Sequence, residues 1–121
     1  MTCSWLVYTS SFLALAPKGR REPLSANDYQ RTKADALDLA RRAAVNGSPI
    51  VTVVPGVIFG PGLLSEGNLV GRMVSDHLAG RLPGLIGPER IWSFAWVDDV
   101  AAAHVDALEQ AAAHQVARRQ A

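Results

Sequence analysis

Tyr29 and Lys33 stand one helical turn apart in the stretch LSANDYQRTKADAL, residues 24–37. Side chains at i and i+4 of a helix share a face, with Cβ atoms about 5–6 Å apart. An ammonium held beside a phenol favours the phenolate, and a phenol tuned in this way can give or take a proton at a carbonyl or carbinol oxygen. A hydroxyl is needed to hold that oxygen. Ser10 and Ser11, just after the apolar run Trp5–Tyr8, are the candidates. Pro55 and Gly56 follow a second apolar run, and a glycine there lets backbone approach a flat ligand closely. Each feature has a plainer explanation: a tyrosine packed against its own helix, a serine loop, a proline–glycine turn. Their order favours a site, because each is expected at one edge of the same sheet, where ligands of open parallel sheets bind.

The elements that must position these residues follow from pattern. Trp5–Tyr8 reads as a short buried strand. From Tyr29 to Val45 the period is helical, with Tyr29, Lys33, Ala36, Leu37, Ala40 and Ala44 on one stripe and Arg31, Asp35, Asp38 and Arg42 away from it. Ser25 and Asn27 are candidate N-caps, and Asn46-Gly47 suits a left-handed stop. Ile50–Val54 is β-branched throughout and suits a strand buried on both faces. Pro55 ends its ladder. A second helix is expected over Leu69–Leu82, starting near Asn68 and ending before Pro83-Gly84. A third strand is expected over Ile91–Val97, then an alanine-rich helix capped by Asp98 or Asp99 and running through His114. The order strand, helix, strand, helix, strand, helix describes an α/β chain with parallel strands joined by crossovers. Such a sheet normally carries four or more strands, so the chain is expected to be part of a larger one.

Composition narrows the function. The chain has 121 residues, 49% of them hydrophobic, with a net charge of +1. That is enough for one domain with a core, and it is neither a disordered nor a nucleic-acid-binding composition. The basic residues are scattered apart from Lys18, Arg20 and Arg21 and the pair Arg118 and Arg119. Cys3 is the single cysteine, so no internal disulfide can form; this fits a reducing compartment, and a cytoplasmic location is the expectation. His77, His104 and His114 have no metal-ligand spacing. The apolar N-terminal run ends in Ala14-Leu15-Ala16, but no positive charge precedes it, Tyr8–Ser11 interrupts it and Pro17 would follow the cut, so a signal peptide is disfavoured. No apolar run is long enough to span a membrane.

The blocks VYTSSFLAL, YQRTK, VVPGVIFGPG, GRLPG and FAWVDDVAAAH, in this order, resemble the extended short-chain dehydrogenase/reductases, the NAD-dependent epimerase/dehydratase group, and most closely its dihydroflavonol-4-reductase-like and farnesol-dehydrogenase-like branch. The resemblance covers Leu6–Glu109. It implies a Rossmann-like, doubly wound parallel sheet and an NAD or NADP cofactor. It implies that Ser11 is the catalytic serine, Tyr29 the acid/base, and Lys33 the lysine that tunes the tyrosine and hydrogen-bonds the nicotinamide ribose. Pro55, Gly56, Val57 and Ile58 match the segment whose backbone meets the nicotinamide end of the cofactor.

The chain also departs from the family. The opening strand, glycine-rich turn and helix that cradle the pyrophosphate are not found. GPGLLSEG offers Gly60 and Gly62 but Ser65 at the third glycine position, a poor phosphate loop. The chain is therefore expected to be a single partial domain lacking the N-terminal cofactor-binding half, with residues 1–60 as the catalytic strand–helix–strand and residues 61–121 as part of a substrate-side region. A truncated gene model, a fragment or a decayed gene would each give this. Three functional readings follow: an oxidoreductase acting on a carbonyl or alcohol of a small-molecule substrate, an epimerase or dehydratase of a nucleotide sugar, and a non-catalytic remnant that either fails to fold alone or serves as an interaction piece; self-association through an exposed sheet edge is a further expectation. Trp92, Phe94 and Trp96 are expected to pack rather than line a pocket, and His104 to be a packed or surface residue.

Overall fold

The computed structural model describes residues 4–17, 19–21, 27–65, 67–84, 89 and 91–120, with residues 114–120 described by backbone alone. Cys3, Lys18, the candidate cap Ser25 and the side chains of His114, Arg118 and Arg119 lie outside the described residues. The chain divides into two compact units, Met1–Pro55 with Ala102–Ala121, and Gly56–Ala101.

In the first unit, strand β1 (Leu6–Thr9) and strand β2 (Ile50–Val53) pair in parallel, from Leu6 opposite Ile50 to Thr9 opposite Val53. Between them lie a short 3-10 turn, Phe12–Ala14, and helix α1 (Asp28–Val45). Asn27 caps α1, its Oδ1 accepting the Gln30 N–H at 2.8 Å, which satisfies one of the helix's unpaired donors. Asp28 pairs with Arg31 at 2.6 Å and Asp38 with Arg42, both on the exposed side, where such pairs add little. Gly47, at φ 92°, ends the helix in the left-handed region. Leu37 and Ala40 are buried along the expected stripe, and with Ala14 and Ala111 they form the buried apolar core among the described residues. Tyr29, at the head of the stripe, is exposed, and so is Ala44 at its tail.

In the second unit, strand β3 (Val57–Phe59) pairs in parallel with strand β4 (Phe94–Trp96), Phe59 opposite Trp96. The strands are therefore two separate pairs rather than one sheet. No strand is expected from the sequence between Pro55 and Asn68. The β-branched and aromatic residues of Val57–Phe59 instead take up a ladder of their own once Pro55 and Gly56 are passed. Phe59 meets Phe94 and Trp96 edge to face, with ring centroids at 6.4 and 5.3 Å. β4 is shorter than the expected Ile91–Val97, and Ile91 is fully exposed. Helix α2 (Leu69–Leu78) begins at the expected Asn68 cap but stops before Leu82, because Gly80 turns the chain at φ 67° and Arg81 bonds back to Asp76. None of the described residues of this unit is buried.

Helix α3 (Val97–Gln120) runs further than expected and starts ahead of Asp98 and Asp99, so neither aspartate is its N-cap. Asp98 and Asp99 lie in its first turn, where negative charge suits the helix dipole, and Asp98 also accepts the Trp96 indole N–H at 3.2 Å. Among the described residues, no helix is long and apolar enough to cross a membrane.

Candidate functional site

The end of β1 is fixed residue by residue. Thr9 Oγ1 lies 2.7 Å from His104 Nε2 of α3. The Ser10 N–H donates to the Val53 carbonyl at 2.9 Å, and the Phe12 N–H to the Pro55 carbonyl at 3.2 Å, so the ladder with the β2 segment continues beyond the strands. Ser11 is extended, at φ −148° and ψ 146°, and caps the 3-10 turn by accepting the Leu13 N–H at 3.2 Å. This engages one lone pair of its hydroxyl and leaves the hydroxyl proton to donate. Both serines are buried, and the Ser10 hydroxyl has no hydrogen-bond partner among the described residues.

Tyr29 and Lys33 lie in the first two turns of α1, which packs against the 3-10 turn capped by Ser11. The Lys33 ammonium stands 5.8 Å from the centroid of the Tyr29 ring, within the range of a cation–π contact. Tyr29 is 53% exposed, so its ring is open to solvent or ligand. Among the described residues Lys33 forms no ion pair, which leaves its three N–H donors for other partners. No hydrogen bond joins Ser11, Tyr29 and Lys33 among the described residues.

The segment matched to the nicotinamide end divides. Pro55 closes the first unit beside Phe12, whereas Gly56, Val57 and Ile58 open the second. The Val57 N–H donates to the Ser93 carbonyl at 2.8 Å. A Cβ on Gly56 would collide with the Ser93 carbonyl oxygen. The close approach that this glycine permits is thus to the chain leading into β4, not only to a ligand.

GPGLLSEG meets a similar limit. A phosphate loop would present the free N-terminal N–H groups of α2, but Asn68 Oδ1 already accepts the Gly71 N–H at 3.1 Å, and Asn68 Nδ2 donates to the Leu63 carbonyl at 3.2 Å. The loop borders a shallow cleft of about 240 Å³, with Ile58, Phe59, Pro61, Leu63 and Val97 among its lining. Trp92, Phe94 and Trp96 do not line it.

Three features were not legible from residue spacing. The Thr9–His104 contact joins residues 95 apart, and nothing in either local sequence signals it. The unpaired Ser10 hydroxyl depends on which of two adjacent serines is left over once Ser11 has capped the turn. The collision at Gly56 depends on where Ser93 runs. Among the described residues, no group of three His, Cys, Asp or Glu side chains is arranged to hold a metal ion.

The model of the NAD dependent epimerase/dehydratase family matches residues 6–118. Neither a curated protein nor a solved structure matches the chain. The match runs through β1, α1, β2 and the second unit alike, and the parallel strand–helix–strand of the first unit agrees with its Rossmann-like architecture. The chain belongs to the NAD-dependent epimerase/dehydratase family.

Proposed function

We propose that the chain carries the proton-transfer half of an NAD(P)-dependent oxidoreductase site acting on a carbonyl or alcohol, of the dihydroflavonol-reductase-like kind. The observation that carries this reading is the Lys33 ammonium held against the Tyr29 ring on a helix that packs on the Ser11-capped turn. Tyr29 gives or takes the proton at the substrate oxygen. Ser11 donates its free hydroxyl proton to the same oxygen and orients it. Lys33 supplies positive charge beside the ring and retains donors for a ribose hydroxyl. Pro55, bonded to Phe12, offers backbone to the nicotinamide end, and the assignment of Gly56, Val57 and Ile58 to the same segment rests on the resemblance alone.

These residues fit a nicotinamide nucleotide at its nicotinamide end: a cation and a buried hydroxyl that have, among the described residues, no carboxylate and no hydrogen-bond partner stand on one unit. A bound NAD or NADP would supply the hydride acceptor or donor. The described residues offer no comparable cradle for its pyrophosphate, since Asn68 caps α2. A cytoplasmic location and a small-molecule substrate go with this reading. The family also covers epimerases and dehydratases, in which the same serine, tyrosine and lysine would serve a nucleotide sugar.

A non-catalytic remnant is the second reading, and the lack of any buried residue among those described in the second unit favours it. Nicotinamide absorbance followed with NADH or NADPH, in the presence of a panel of flat aromatic ketones and isoprenoid aldehydes, tests the proposal. Turnover that disappears in Tyr29→Phe supports the oxidoreductase. Turnover that survives it removes Tyr29 from the chemistry.

A further inference from the structure

Four consecutive residues close β1, and each is tied down by a hydrogen bond: Thr9 to His104, Ser10 to Val53, Ser11 to Leu13 and Phe12 to Pro55. One hydroxyl is left over among the described residues. Ser10 is 3% exposed, and its Oγ has no partner. A buried, unpaired hydroxyl carries a desolvation penalty that a buried alanine of nearly the same shape avoids. Packing among the described residues therefore gives no reason for a serine here, which points to a partner that binds.

We propose that Ser10 is a positioning residue of the site, its hydroxyl hydrogen-bonding the nicotinamide end of a bound NAD or NADP. The inference rests on the cofactor reading above. Its location supports that partner: Ser10 is laddered to Val53, and two residues on Phe12 is bonded to Pro55, the first residue of the segment assigned to the nicotinamide. A serine has three staggered χ1 wells, so the hydroxyl can be redirected without disturbing the backbone bond to Val53. Ser11 is spent differently, since its oxygen already holds the 3-10 turn. The two serines thus divide the work, Ser11 to the substrate oxygen and Ser10 to the cofactor.

Thermal melting of the 121-residue chain and its Ser10→Ala variant, with and without millimolar NADH or NADPH, tests this. Without nucleotide, Ser10→Ala melts at or above the temperature of the parent, because an unpaired hydroxyl has been removed. With nucleotide, its dissociation constant rises roughly three- to tenfold, the worth of one hydrogen bond. Ser10→Cys keeps the volume with a weaker donor and falls between them. A Ser10→Ala chain that melts lower without nucleotide overturns the proposal, since the hydroxyl is then a structural partner. Unchanged nucleotide affinity overturns it equally. Lys33→Met separates this failure from that of the cofactor reading. If Lys33→Met weakens nucleotide binding and Ser10→Ala does not, only the role of Ser10 falls. If the parent shows no nucleotide response, or Lys33→Met leaves it intact, the cofactor reading falls and Ser10 with it.

Discussion

The Lys33 ammonium stands 5.8 Å from the centre of the Tyr29 ring, one turn along α1. The pair is held by the helix rather than by bonds between the two side chains. Asn27 fixes where the helix begins, and Leu37 and Ala40, the buried residues further along the same stripe, fix which way it faces. The orientation of the candidate acid/base is therefore set by a cap and a core that are not themselves reactive.

Replacing Asn27 with alanine removes the Oδ1 that caps α1 at the Gln30 N–H. The expected loss is about 0.5–2 kcal/mol of stability. Chemical denaturation followed by circular dichroism measures it. An unchanged midpoint would mean that the cap does not set the start of α1.

Nucleotide binding by this chain should be weak. The N-terminus of α2 is occupied by Asn68, and the turn GPGLLSEG that leads from β3 into it has Ser65 where the third glycine of a phosphate loop would stand. Titration with NADPH, read by nucleotide fluorescence, is expected to give a dissociation constant in the millimolar range. A micromolar value would reveal a phosphate site that these residues do not predict.

Association is expected next. β1 and β2 form a two-stranded sheet, so each has an open edge among the described residues, and Leu6, Leu39, Val45 and Leu78 are well exposed. Unpaired strand edges and apolar surface promote pairing between chains. Light scattering after size-exclusion chromatography should show oligomers or aggregates. A verified monomer at tens of micromolar would count against this expectation.

Much of the first unit was legible because its signals are local. The 3.6-residue stripe from Tyr29, the Asn27 cap and the Asn46-Gly47 stop all act within a few residues, and each marks what the structure has. The β-branched run from Ile50 marks β2 for the same reason. β3 was hidden because Pro55 and Gly56 signal a break, and a break does not say whether a new strand follows. The end of α2 was misplaced by two competing stops, Gly80 and Pro83, of which the nearer acted. At the site, the Tyr29–Lys33 pair is a matter of helical spacing and could be read directly. The Thr9–His104 bond and the contact of Gly56 with Ser93 depend on distant chain segments meeting, which no local pattern encodes.

The central claim is that the Tyr29 phenol moves the proton. It is tested most directly by comparing turnover of Tyr29→Phe with its parent in a chain joined to a complete glycine-rich nucleotide-binding half. The substitution keeps the ring against Lys33 and removes only the ionisable hydroxyl. Turnover should fall on the order of 10²–10⁴-fold, the usual worth of general acid–base catalysis, while substrate binding changes far less. Lys33→Met, measured beside it, should lower both turnover and cofactor affinity. Near-parental turnover in Tyr29→Phe would contradict the account and leave Tyr29 and Lys33 as a structural pair on the surface of α1.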